Sequence, residues 1–147
     1  MCQAIRFMKD EFSAVVLQNH HLEVNGDEVR IYFTKPGALL PVLLNGQNQL
    51  IPWGNQANLK IPRTGFCKTE SFTAGKWTWL HPKPVTIIAS SALVNGVWFQ
   101  VKQGIQGLLL NSELDTQHCY MLTQPATHYF KTMTGADRMP ILLNQVL

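Results

Sequence analysis

The chain has 147 residues, 46% hydrophobic and 14% charged, which supplies enough apolar material for one core and excludes a disordered chain. Its net charge is +3, and no run approaches the ~18 apolar residues of a membrane span. The three cysteines, Cys2, Cys67 and Cys119, share no CxxC spacing, which argues against a disulfide framework and for a reducing compartment.

Taken in chain order, the sequence reads mostly as short strands punctuated by Gly and Pro. No apolar leader with a small-residue cleavage site precedes them, so a cytoplasmic location is expected. Residues 9–17 carry the best helical pattern. Residues 28–34 alternate and stop at Pro36-Gly37. Residues 38–44 form an apolar run, Asn45-Gly46 gives a turn signal, and residues 49–53 pair back across it. Residues 85–90 follow Pro82 and Pro84. Residues 97–102 follow Asn95-Gly96, and together with residues 105–110 they read as a hairpin over 97–110. Residues 119–123 and 141–146 are further strands, with a short helix over 126–133. The expected fold is mainly β or α+β, a single barrel-type domain over residues 1–147 with few short helices. A monomer is expected.

Charge is unevenly spread. Between residues 29 and 112 the only acid is Glu70, against eight Lys and Arg. This basic middle fits a polyanion partner such as nucleic acid, and it equally fits scattered, solvated lysines. Trp77 and Trp79 alternate with Thr78 between Lys76 and Lys83, so in an extended segment both face one side. That makes them the best candidates for base stacking. Arg63, Lys68 and Lys76 are the candidate phosphate contacts. Arg138 either binds phosphate or pairs with Asp137 to fix a turn. The five histidines show no zinc spacing, and Gly104-Ile105-Gln106-Gly107 lacks the strand–helix context of a phosphate loop. No metal or cofactor is expected.

The chain opens Met1-Cys2. Methionine before a small residue such as Cys is normally removed, which leaves a terminal cysteine. In model compounds such an amine titrates near ~7.7–8.0 and a cysteine thiol near ~8.5, and the two together condense with an aldehyde to a thiazolidine. Further segments follow in order: Pro52-Trp53-Gly54, Lys68-Thr69-Glu70-Ser71, Gly96-Val97-Trp98-Phe99-Gln100 and Ala136-Asp137-Arg138-Met139-Pro140. With Met1-Cys2, this ordered set resembles the SOS-response-associated peptidase (SRAP) family, in a short and divergent form. The resemblance spans most of the chain, and residues 137–140 are its most specific part.

The resemblance implies a DNA-damage-response protein that binds single-stranded DNA. It implies covalent capture of abasic sites by the terminal cysteine, here Cys2, supported by an Asn, a Glu and a His. The match at those supporting positions is incomplete. The family Asn falls on Phe66, the Glu on Gln100 or on Phe99 with a different gap, and the His on Ala136. Glu70 remains a carboxylate near the site, or a structural partner for Lys68 or Arg138. Losing a general acid or base costs ~10²–10⁴-fold, which a single-event crosslinker tolerates better than a turnover enzyme. Three readings follow: crosslinking through Cys2, a catalytically degenerate single-stranded nucleic-acid binder, and an N-terminal-cysteine amidase or peptidase. The third needs an oxyanion hole, and no residues here suggest one.

Overall fold

A computed structural model describes residues 1–147. In chain order the elements are β1 (Cys2–Met8), α1 (Ala14–Asn19), β2 (Val24–Asn25), β3 (Glu28–Tyr32), β4 (Leu39–Leu44) and β5 (Gln47–Pro52). β6 (Phe66–Lys68), α2 (Thr69–Thr73), β7 (Lys83–Ile87), β8 (Ser91–Val94) and β9 (Val97–Gln100) follow. The chain then runs through β10 (Ile105–Asn111), β11 (Gln117–Pro125), α3 (His128–Thr134) and β12 (Arg138–Pro140). The fold is mainly β, with two sheets and few helices.

Five strands form one sheet in the order β2-β3-β1-β8-β9. The other sheet runs β12-β11-β10-β7-β4-β5, and β6 lies parallel to β11. Turn chemistry sets two of the hairpins. Asn45 and Gly46 join β4 to β5 at φ 52° and 75°, and Asn95 and Gly96 join β8 to β9 at 47° and 78°. Two successive left-handed residues match the twist of the flanking strands.

A core of 25 buried residues includes Ile5 and Phe7 of β1, Val29 and Ile31 of β3, and Ile105, Leu109, Cys119 and Met121 of the larger sheet. A second, smaller core packs Leu108, Leu110, Tyr120 and Leu122 against Ile61 and Trp77. Alternate residues of β10 and β11 therefore enter different cores. Burial on both faces explains the unbroken Leu108-Leu109-Leu110 run.

Several expectations are corrected. Residues 97–110 are not a hairpin: β9 closes on β8, whereas β10 pairs with β7 and β11. The Asn95-Gly96 turn draws 97–100 backward, and Gly104 at φ 97° turns the chain into the other sheet. A Cβ at Gly104 would lie 2.7 Å from the Ile87 carbonyl oxygen. Residues 141–146 are not a strand. Pairing ends at Pro140, one bridge joins Leu142 to Ile105, and Asn144 sits in the left-handed region at φ 51°. Residues 9–17 split into a 3₁₀ turn at Lys9–Glu11 and α1. Ser13 separates them, because an N-cap takes extended geometry and accepts the Val16 N–H. The sheets are not closed into a barrel. Beyond β5, Trp53 meets Cys119 of β11 at a single bridge. No helix is long and apolar enough to cross a membrane.

Candidate functional site

Cys2 is the first residue of β1. Its pairing partner is Val94, while Ala4 pairs with Leu93, so Gln3 is an extra residue bulged out of the ladder. The bulge has its own partners. Gln3 O accepts the Phe33 N–H at 3.0 Å, and Gln3 Oε1 accepts the Gly96 N–H at 3.0 Å. This geometry turns Cys2 inward. Its side chain is 3% exposed, and Sγ donates to Ala4 O at 3.2 Å. Burial pushes the thiol up to about 12, against small opposing effects from backbone hydrogen bonds.

The positions where the resemblance puts the family's Asn and His, Phe66 and Ala136, are buried in the same core cluster as Cys2. Of the two candidates for the Glu position, Phe99 joins that cluster. Gln100 points outward and is exposed, and its backbone carbonyl accepts the Gln145 side-chain amide at 2.7 Å. Phe66 packs edge-on against Phe33 and Trp53, and Phe99 packs edge-on against Phe130. Asn95, in the turn beyond the strand that pairs with Cys2, donates to Thr134 O at 3.1 Å and ties down the segment leading to Ala136. The core cluster that contains Cys2 is thus apolar at those three inward positions, with no carboxyl, amide or imidazole from them.

Trp53-Gly54 has a structural explanation. Trp53 Nε1 donates to Gly65 O at 3.1 Å, and the Gly54 N–H donates to Cys119 O at 2.7 Å. His118 Nδ1–H donates to Gly54 O at 2.7 Å, which leaves Nε2 to accept from the Thr116 hydroxyl at 2.9 Å. These bonds pin the 53–65 loop to β11.

Residues 61–80, from the end of that loop onward, cover the outer face of the larger sheet and carry all the sequence-derived binding residues except Arg138. Arg63, Lys68 and Lys76 are all exposed. The two tryptophans separate. Residues 78–80 form a 3₁₀ turn, not an extended segment. Trp77 is 9% exposed and packs edge-on against Tyr120 at 5.1 Å, while Trp79 is 66% exposed. Trp77 is the anchor of the second core, and only Trp79 presents a ring to solvent. Arg138 is also committed. Its two terminal nitrogens donate to both carboxylate oxygens of Glu70, and Nη2 reaches Thr123 O at 3.0 Å as well. Asp137 pairs instead with Lys131 at 2.9 Å. The hydrogen bonds from Arg138 hold the Glu70 carboxyl below the usual range.

The sequence did not show that Arg6, Arg30 and Trp98 meet, which they do on the solvent side of the five-stranded sheet. The signal available was the i, i+2 spacing around Ile5–Phe7 and Val29–Ile31, which sends the residues between the core positions outward.

Comparison with protein-family models, with curated proteins and with solved structures returned no match.

Proposed function

We propose that the chain is a non-catalytic, SRAP-like module that binds single-stranded nucleic acid, with Cys2 serving as a core residue. The observation that carries this reading is the surroundings of Cys2: a buried thiol, with Phe66, Phe99 and Ala136 in the same apolar cluster. An aldehyde carbon needs a path to Sγ and a group to move protons, and this cluster offers neither. Binding needs less. Arg63, Lys68, Lys76 and Trp79 are exposed along one stretch of chain, and its one acid, Glu70, is engaged by Arg138. That leaves an excess of cations beside an exposed ring, the combination that tracks a single strand. A barrel belongs to the same reading, with the Trp53–Cys119 bridge as its incipient closure, and so does a place in the cytoplasm.

A second reading, covalent capture of abasic sites through Cys2, is favoured by one observation. Cys2 begins its strand, and Met1 before it is exposed, so removal of Met1 puts a free amine next to the thiol. One experiment separates the two. The protein and Cys2→Ala are incubated with single-stranded DNA carrying one abasic site. Intact mass and fluorescence anisotropy are then recorded. The expected outcome is reversible, salt-sensitive binding that Cys2→Ala leaves unchanged and that Lys68→Glu with Lys76→Glu weakens. A stable adduct that requires Cys2 would establish the second reading, and a lack of any salt-dependent binding would remove both.

A further inference from the structure

The five-stranded sheet buries one face and leaves the other to solvent. On the buried face lie Ile5, Phe7, Val29, Ile31, Ala92, Val94 and Phe99. Alternation sends Arg6, Arg30, Tyr32 and Trp98 to the other face. The register assembles them: Arg6 pairs with Arg30, Ala4 with Tyr32, and Leu93 with Trp98. The Arg6 guanidinium lies 3.7 Å from the Trp98 ring centroid, and that of Arg30 lies 5.7 Å away. Lys35 Nζ is 5.4 Å from the Tyr32 ring.

This face is short of negative charge. Two carboxylates lie near it, Glu28 at 3.8 Å from Arg6 Nε and Glu23 on the wall of the cavity that Arg30 and Lys35 share, against the three cations Arg6, Arg30 and Lys35. The side chains of Arg30 and Lys35 are exposed and make no ion pair. Both also line a cavity of about 470 Å³ beside β3, with His20, Tyr32, Asn25 and one acid, Glu23, which makes no ion pair with either. Neighbouring guanidiniums repel each other, and the electron-rich face of Trp98 offsets part of that repulsion. A polyanion offsets the rest.

We propose that this face is a second contact surface for single-stranded nucleic acid, separate from the Arg63–Lys76–Trp79 segment. Phosphates lie against Arg30 and Lys35, and a base adds to the Arg6–Trp98 stack, since bases stack on guanidinium planes as well as on rings. The choice of ligand rests on the nucleic-acid reading above, but the residues are different, so the two can fail separately.

The test is binding of fluorescent oligothymidine across a salt series. Arg30→Glu with Lys35→Glu is compared with Lys68→Glu with Lys76→Glu. The Arg30 and Lys35 side chains hold no structural hydrogen bond, so the fold is retained, and a circular dichroism melt verifies that. The expected result is at least tenfold weaker binding at low salt for Arg30→Glu with Lys35→Glu. The slope of log K against log salt should also fall by roughly 1.4, for two phosphate contacts at ~0.7 each on a single strand. Wild-type affinity in that variant, with loss confined to Lys68→Glu with Lys76→Glu, overturns this surface and leaves nucleic-acid binding standing. No salt-dependent binding by the unmodified protein overturns both. Polyphosphate competing as well as oligothymidine at equal charge overturns the assignment to nucleic acid.

Discussion

At Gly54 one absent carbon decides whether a loop can close. The backbone is left-handed there, φ 62°, and a Cβ would run into the Thr64 carbonyl and Gly65 Cα. The two contacts are backbone and cannot rotate away. Gly54→Ala is therefore expected to lower stability by more than the ~1–2 kcal/mol of the left-handed conformation alone, read as a fall in the urea midpoint with unchanged slope. Cys2 is a residue-scale case of the opposite kind, where the chemistry of the side chain is suppressed by its location. With its thiol pushed up to about 12, and those of Cys67 and Cys119 to about 11 and about 12, the thiolate fraction at pH 7 is about 10⁻⁴–10⁻⁵. Ellman's reagent is expected to find no fast-reacting thiol in the native protein and three after denaturation. One fast thiol that disappears in Cys2→Ala would contradict the buried position of Cys2.

Among the elements, the Glu70–Arg138 pair joins the start of α2 to β12. Its pH dependence has a definite sign. The folded Glu70 carboxyl titrates lower than in the unfolded chain, near ~4.3, so its contribution is present above that pH and is lost as pH falls through the folded value. Asp137 beside Lys131 behaves the same way. Melting temperature followed from pH 6 downward should thus drop less for Glu70→Gln than for wild type, with Asp137→Asn as the parallel control. An unchanged acid limb in Glu70→Gln would show that the pair contributes nothing to stability. The same scale shows what the sequence made legible. β4, β5 and their Asn45-Gly46 turn could be read, as could β3, β11 and α3, because alternation, apolar runs and turn residues agree there. β1 could not, since the bulge at Gln3 breaks its period and leaves Ala4 and Ile5 both buried. β6 and β8, with three and four residues, are too short to carry a period. Trp77 and Trp79 share a face only in an extended segment, and the 3₁₀ turn that follows Trp77 puts residues two apart on different faces. Only the second core, made by residues far away in sequence, decides which ring is covered. For the site, the identity of Cys2 was legible and its burial was not, because burial follows from pairing with Val94, more than ninety residues away, and from the bulge at Gln3.

For the whole molecule, the main core unites the two sheets, and the second core lies under the 59–80 excursion that carries Lys60, Arg63, Lys68 and Lys76. The placement of β1 at the middle of the five-stranded sheet has a consequence for how the chain is made. β1 leaves the ribosome before the other strands of the two sheets, and β3 can join it early. Its other partner is β8, where Ile5 faces Ala92. At ~5–20 residues per second, the roughly 60 residues between β3 and β8 take about 3–12 s to emerge. Through that interval the sheet has a raw central edge, and the main core lacks Ala92 and Val94 of β8 and Phe99 of β9. β1 thus stays half-paired until residues 91–94 have been made, and its open edge is exposed to aggregation during synthesis.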